Sequence, residues 1–391
     1  MNRKSQIKFL IHCLGFKKEN DHPIHFEELK EKDWIAILEK AQRHLVTPLL
    51  CYHLTQCKQI PTSVLEQLRN NYLNNSLRNI YIYSELSKIL NQAKNNDIPI
   101  IVLKGADLAE SLYTTIALRP MKDLDVFIKI EDVYKVHDLL IQLGWKSKQE
   151  LEYIDHLLKT DYNLKYEKPR LPIDLHFKVP ELSDLNIWAN VTSIKIGLTD
   201  TLVLKPEILL IFLCYHFYEH TRRELKAEII KFYDIILVLR KYREDINWDY
   251  LIQMAFTNKC ENIIYHILEI INSEFGEDIP VYILNKLKSI KYTVQIRKGL
   301  YNTPPDFLYA LNPIRKIVLA LYLHWFDPKN NTISHIIKSV FESIFPNKEF
   351  IIGRYSPKKS RFFFIYYPVY FVTGVKNFFS ILFKLIFKRK S

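Results

Sequence analysis

The chain has 391 residues, 48% of them hydrophobic and 25% charged, enough for two or three regions with their own cores and ordinary for a soluble globular protein. Its five cysteines, Cys13, Cys51, Cys57, Cys214 and Cys260, form no C-x-x-C pair and no zinc-ligand spacing, which excludes a disulfide framework and points to free thiols in a reducing compartment, the cytoplasm. Nine basic residues and no acidic one follow from Arg354 onward, so most of the net charge of +12 belongs to the tail; the nearly balanced body argues against a groove of phosphate contacts and hence against nucleic acid as partner.

At the amino terminus, "MNRKSQIKFLIHCLGFKKEN" sets basic residues before a short apolar run, but His12 interrupts that run and no small-residue cleavage site follows, so no secretory signal is expected. Helical spacing dominates residues 24–95. Within it, "IPTSVLEQLRNNYLNNSLRNI" opens on Pro61 and a Ser63-x-x-Glu66 capping box, then places Leu65, Leu68, Tyr72, Leu73, Leu77 and Ile80 at helical offsets. The period changes near Ile98. "IPIIVL" reads as a buried strand, "ADLAESLY" as a helix, "DLDVFI" as a strand, "EDVYKVHDLLIQLG" as a helix ended by Gly144, and "LPIDLHFKV" as another strand.

Helical spacing returns after Lys205, with Pro206 placed as a first helical residue; "EILLIFLCYHFYEH" and "IIKFYDIILVLRKY" read as amphipathic helices. The expected organisation is an α+β protein: a helical region at 1–95, a small mixed core at 96–200, a second helical region at 201–350 and a basic aromatic tail at 351–391. In the tail, the uncharged run from Phe362 to Val375 is broken by Pro368 and Gly374 and is too short to span a bilayer. From Lys376 a polar residue recurs at every fourth position beside aromatics. That pattern suits an in-plane helix on an anionic surface, giving residues 361–390 as a membrane contact at the inner face, or equally a face packed on the protein itself.

The chemistry concentrates in the core. Asp123 and Asp125 share one face of a strand, and in the next strand Asp174 and His176 share a polar face opposite Ile173, Leu175 and Phe177. If the two strands are neighbours, three carboxylates converge, and their repulsion calls for cations. Oxygen-only ligands suit Mg²⁺, which completes its coordination with a nucleotide's phosphates; two such ions about 4 Å apart would activate an attacking oxygen and stabilise leaving pyrophosphate. Gly105, lacking a Cβ, would let backbone approach a phosphate at the start of the "ADLAESLY" helix. Lys104, Arg119 and Lys122 are phosphate candidates by charge and position, and His176 joins the nucleotide-binding group.

This arrangement resembles the nucleotidyltransferase superfamily typified by DNA polymerase β, and within it the family of uncharacterised nucleotidyltransferases. "VLKG", "RPMKDLD" and "IDLHF" look like that family's version of a strand ending in glycine, a helix, D-x-D on the next strand and a third Asp on a later one. "DWIAILEKAQRHLVTPLL" is similar to its helical lead-in and "LCYHFYEHTRRELKAEIIKFYDIILVL" to its downstream helices, so the resemblance extends over residues 30–260. It implies a polymerase β-like fold and an NTP-dependent enzyme that moves a nucleoside monophosphate to a hydroxyl of a small-molecule, sugar or peptide acceptor. Asp123, Asp125 and Asp174 would hold metal, with Asp174 helping to deprotonate the acceptor.

Other readings compete with it. A catalytically silent nucleotide-binding module would keep the same fold, and D-x-D also serves metal-dependent glycosyltransferases. "HFYEH", His216 to His220, matches the H-x-x-E-H zinc-protease pattern, yet Lys286 to Tyr301, where a further acidic ligand belongs, contains no Asp or Glu. No G-x-G-x-x-G, phosphate-binding loop or C2H2 pattern is present.

Overall fold

A strand of alternating character lies at the middle of the fold: Leu124, Val126 and Ile128 enter an apolar core while Asp125 and Phe127 take the other face. The computed structural model describes residues 3–288 apart from 17–25, 27–28, 56, 58, 150–153, 161, 180–181, 183–184, 198 and 225–226. Its contacts divide the chain into one unit of Met1–Phe217 with Glu228–Ser289 and another of Tyr218–Ala227 with Ile290–Ser391. The expected tail, and the second helical region beyond residue 288, lie outside the described residues.

In chain order the elements are α1 (Arg3–Cys13), α2 (Glu31–Arg43), α3 (Thr47–Leu54), α4 (Thr62–Asn95), β1 (Ile101–Leu103), α5 (Lys104–Ser111), β2 (Leu124–Phe127), α6 (Val133–Gln142), β3 (Lys146–Ser147), α7 (Ile154–Thr160), β4 (Asn163–Lys168), β5 (Leu171–His176), β6 (Val191–Ile196), β7 (Thr199–Leu204), α8 (Pro206–Glu224), α9 (Ile229–Lys241), α10 (Trp248–Thr257), α11 (Glu261–Phe275) and α12 (Val281–Leu287). The seven strands form one mixed sheet ordered β3-β4-β5-β2-β1-β7-β6, so the α+β class read from the alternation holds. β2 runs antiparallel to β1 and parallel to β5, and β1 runs parallel to β7.

One side of this sheet is the core. Val102, Leu124, Val126, Ile173 and Leu175 pack under Ile82, Leu86 and Ile89 of α4 and Val136 and Leu140 of α6, all but fully buried. Each such side chain contributes about 1.5–3 kcal/mol by leaving water. α6 closes as its sequence signals, with Gly144 left-handed at φ +82° two residues past its end. None of the five cysteines forms a disulfide, and no described helix is long and apolar enough to cross a membrane.

Two expectations for α4 are corrected. The helix begins at Thr62, so Ser63 lies inside the first turn; Pro61 is the capping residue, and no side-chain cap forms. Of the apolar positions read at helical offsets, Leu68 is buried, whereas Leu73, Leu77 and Ile80 are 56%, 67% and 55% exposed. The middle of α4 turns polar residues inward instead. Asn75 Nδ2 donates to the Ala117 carbonyl at 2.7 Å, Asn79 Nδ2 to the carbonyls of Ile116 and Arg119, and Arg78 to those of Met121 and Lys122. Facing this helix is the segment 116–122, whose backbone carbonyls need donors when buried, and that need overrides the apolar period.

Candidate active site

The parallel pairing of β2 with β5 puts Asp125 opposite Asp174 and Phe127 opposite His176. On the sheet face turned away from the core, single ligand atoms of Asp125, Asp174 and His176 lie within 4.8 Å of one another. Among the described residues this is the group of three His, Cys or acidic side chains able to share one metal ion, and "HFYEH" supplies no such group.

Asp125 is nearly fully buried, yet doubly compensated. Lys104 Nζ donates to its Oδ1 at 2.8 Å, and His176 Nε2 stands 2.9 Å from the same oxygen. Burial alone would raise the Asp125 carboxyl; the ammonium and the imidazole overcome it and hold the group well below the usual carboxylate range. Lys104 is itself withdrawn from water, which disfavours its charge, but Asp125 more than restores it and raises its pKa. Local backbone makes the contact. Lys104 opens α5 directly after β1 in left-handed geometry, φ +49°, which costs a non-glycine residue about 1–2 kcal/mol and turns the chain sharply at the head of the sheet. Phe212 of α8 lies below the ammonium, 5.9 Å from ring centre to Nζ.

Asp174 is half-buried and accepts from Asn163 Nδ2 at 3.2 Å. Asp123 sits just before β2 with its side chain open to solvent. Crowding by protein atoms, and then the neighbouring Asp125 carboxylate, push its pKa upward against the pull of Lys104. Three carboxylates therefore share one electrostatic environment, with one cation already among them.

The remaining expected residues separate. Lys122 is exposed, its Nζ 3.8 Å from Glu228 Oε1. Arg119 is withdrawn from the open face: Nε and Nη2 donate to the two carboxylate oxygens of Asp234 on α9, at 3.0 and 2.7 Å, and Tyr113 adds a hydroxyl to the same group at 2.7 Å. The Arg119 guanidinium is thus engaged by a carboxylate of α9. The space left by the absent Cβ of Gly105 is likewise filled by protein: a Cβ there would meet Arg119 Nη1 at 2.9 Å and Met121 Cγ at 3.0 Å. Asp234 and Tyr113 carry no sequence signal of this role, because Asp234 lies 115 residues from Arg119 and 121 from Tyr113 and only the folded chain joins them.

The profile of a family described as "Uncharacterised nucleotidyltransferase" matches residues 30–276. No curated protein matches the chain in sequence. Among solved structures, the chain is similar to ANT(2″)-Ia, described as an antibiotic-resistance factor, in its solution structure (14% identity, TM-score 0.35, over 49% of this chain and 99% of that one). It is similar to the same protein in crystal complex with adenylyl-2″-tobramycin (14%, 0.35, over 46% and 99%). An antigenic nucleotidyltransferase-like protein from Paracoccidioides brasiliensis matches at 14% identity and TM-score 0.33, over 50% and 93%.

Proposed function

The chain belongs to the uncharacterised nucleotidyltransferase family, and from that premise we propose that it transfers a nucleoside monophosphate from an NTP to the hydroxyl of a small-molecule, sugar or peptide acceptor, releasing pyrophosphate. The observation that carries this reading is the pairing of Asp125 with Asp174 on adjacent parallel strands, with Asp123 flanking them. Family membership leaves the glycosyltransferase alternative without a fold to occupy.

The donor set fits a hard divalent cation. Asp123, Asp125 and Asp174 offer oxygens, which Mg²⁺ prefers, and none of the described residues bonds Oδ2 of Asp125. His176 is the poorer Mg²⁺ ligand, and its Nε2 already meets Asp125, so it orients that carboxylate. A pair of Mg²⁺ ions, when bound, supplies the polarising charge that favours the attacking oxygen and the departing pyrophosphate. Lys104, on a flexible stem, moves from Oδ1 to the triphosphate, and Lys122 adds charge from the exposed side. Asp174, the more open of the paired carboxylates, takes the acceptor's hydroxyl proton; the oxygen's electron pair bonds to the α-phosphorus, and the bond from that phosphorus to the bridging oxygen breaks. Five cysteines that form no disulfide support a reducing compartment as the setting.

One observation favours a second reading. Lys104 already neutralises Asp125, as a cation would, which suits a module of this fold that binds nucleotide without turnover. The test is to incubate wild type, Asp123→Asn and Asp125→Asn with each labelled NTP, Mg²⁺ and pooled hydroxyl acceptors, following pyrophosphate release. Wild type should turn over, and Asp125→Asn should lose about 10³-fold, the equivalent of several kcal/mol of transition-state stabilisation. Equal nucleotide binding by all three with no product from any would establish the silent module.

A further inference from the structure

Arg78 lies on α4, away from the carboxylates, yet its guanidinium reaches the start of both strands that carry them. Nε donates to the Met121 carbonyl at 2.8 Å and Nη2 to the Lys122 carbonyl at 2.7 Å, the two residues immediately before Asp123. Nη1 donates to the carbonyl of Arg170 at 2.9 Å, immediately before β5 and four residues before Asp174. β2 and β5 are parallel neighbours, so these contacts fall at the same end of the sheet.

We infer that Arg78 is a positioning residue that fixes the two carboxylate strands relative to each other and so sets the spacing of Asp123, Asp125 and Asp174; this rests on the reading of those carboxylates as a metal-holding centre. The guanidinium is a rigid planar fork, and its donors cannot follow a slip of one strand past the other without losing a bond. A lysine ammonium at the same place would carry the same charge on a point and could not span three carbonyls. The role is not electrostatic attraction of substrate, because every bond given to the guanidinium goes to backbone oxygen.

Two neighbouring features accord with this role. Lys168 pairs with Leu171 across the β4–β5 hairpin, leaving Pro169 and Arg170 as its turn, and Arg170 is left-handed at φ +64°. Proline followed by a left-handed residue is the arrangement of a type II turn, whose second position favours glycine; with arginine there the turn is strained, and the Nη1 bond holds its carbonyl. On the other side, Asn75 and Asn79 grip Ile116, Ala117 and Arg119, so with Arg78 the helix holds five carbonyls of the segment leading to Asp123.

The experiment compares full-length wild type with Arg78→Lys and Arg78→Gln, using Mn²⁺ titration by calorimetry as the metal probe and amide hydrogen exchange as the probe of position. Loss of a group that orients metal ligands lowers metal affinity by about 10–100-fold. Arg78→Lys should therefore weaken Mn²⁺ by about 10-fold or more, with faster exchange confined to residues 116–125 and 168–176 and unchanged exchange in α9 and α11. Mn²⁺ affinity within about 2-fold of wild type, or faster exchange spread evenly over the molecule, overturns the proposal. A wild type that takes up no Mn²⁺ overturns the reading of the carboxylates as a metal centre, and the exchange pattern at 116–125 and 168–176 then decides the clamp alone.

Discussion

The two halves of α4 meet the core unit in opposite ways. From Ile82 to Ala93 the helix lays Ile82, Leu86, Ile89, Leu90 and Ala93 on the sheet. One turn earlier, Asn75, Arg78 and Asn79 face inward, and Leu73, Leu77 and Ile80 face water. Both halves contact the core, but what they contact differs: a pleated apolar surface in one case, a segment whose carbonyls take their donors from the helix's side chains in the other. A helix face is thus amphipathic relative to its partner, not to water. The apolar half supplies stability, and the polar half supplies the position of a loop that ends in Asp123.

Substitutions along the helix break this contrast in a graded way. Leu86→Ala, in the apolar half, should give the largest loss of stability, about 2–5 kcal/mol from lost transfer energy and the cavity left behind, read as a shift of the urea midpoint at constant slope. Asn79→Ala, in the polar half, should cost less, about 1–3 kcal/mol, because it leaves the Ile116 and Arg119 carbonyls without their donor; the same titration measures it. Leu77→Ser, on the outward face, should stay within about 0.5 kcal/mol of wild type although it removes the same kind of side chain as Leu86→Ala. A Leu77→Ser loss approaching that of Leu86→Ala would mean that the outward face is covered in solution and would remove the contrast.

The same distinction governs what could be read beforehand. Strand alternation in "DLDVFI" and "IDLH" depends on a period of two residues, so the sharing of one face by Asp174 and His176 and the apolar role of Leu124 and Val126 followed from the order of residues. α5, α6 with Gly144 and the start of α8 at Pro206 followed from equally local signals. β4, β6 and β7 carry no comparable local signal. "NLKYEK", "VTSIKI" and "TDTLVL" mix polar residues into short strands whose pairing, not composition, makes them sheet. Arg119 and Lys122 show the same limit within the site, since both are basic residues beside D-x-D, but one is buried against Asp234 and the other is 63% exposed.

What the sequence determined by itself is the run of strands and helices from β1 to α6 together with β5, the α+β class, and the gathering of acids on strand faces, because each of these rests on contacts or periods spanning a few residues. Tertiary structure alone decided which partner meets which acid: Lys104 and His176 at Asp125, 21 and 51 residues away, and Arg119 at Asp234, 115 away. It also decided that an arginine 92 residues from Arg170 would hold the hairpin beside Asp174. Such choices depend on which backbone and charged groups are left buried once the sheet closes. That demand arises only when distant segments have already come together.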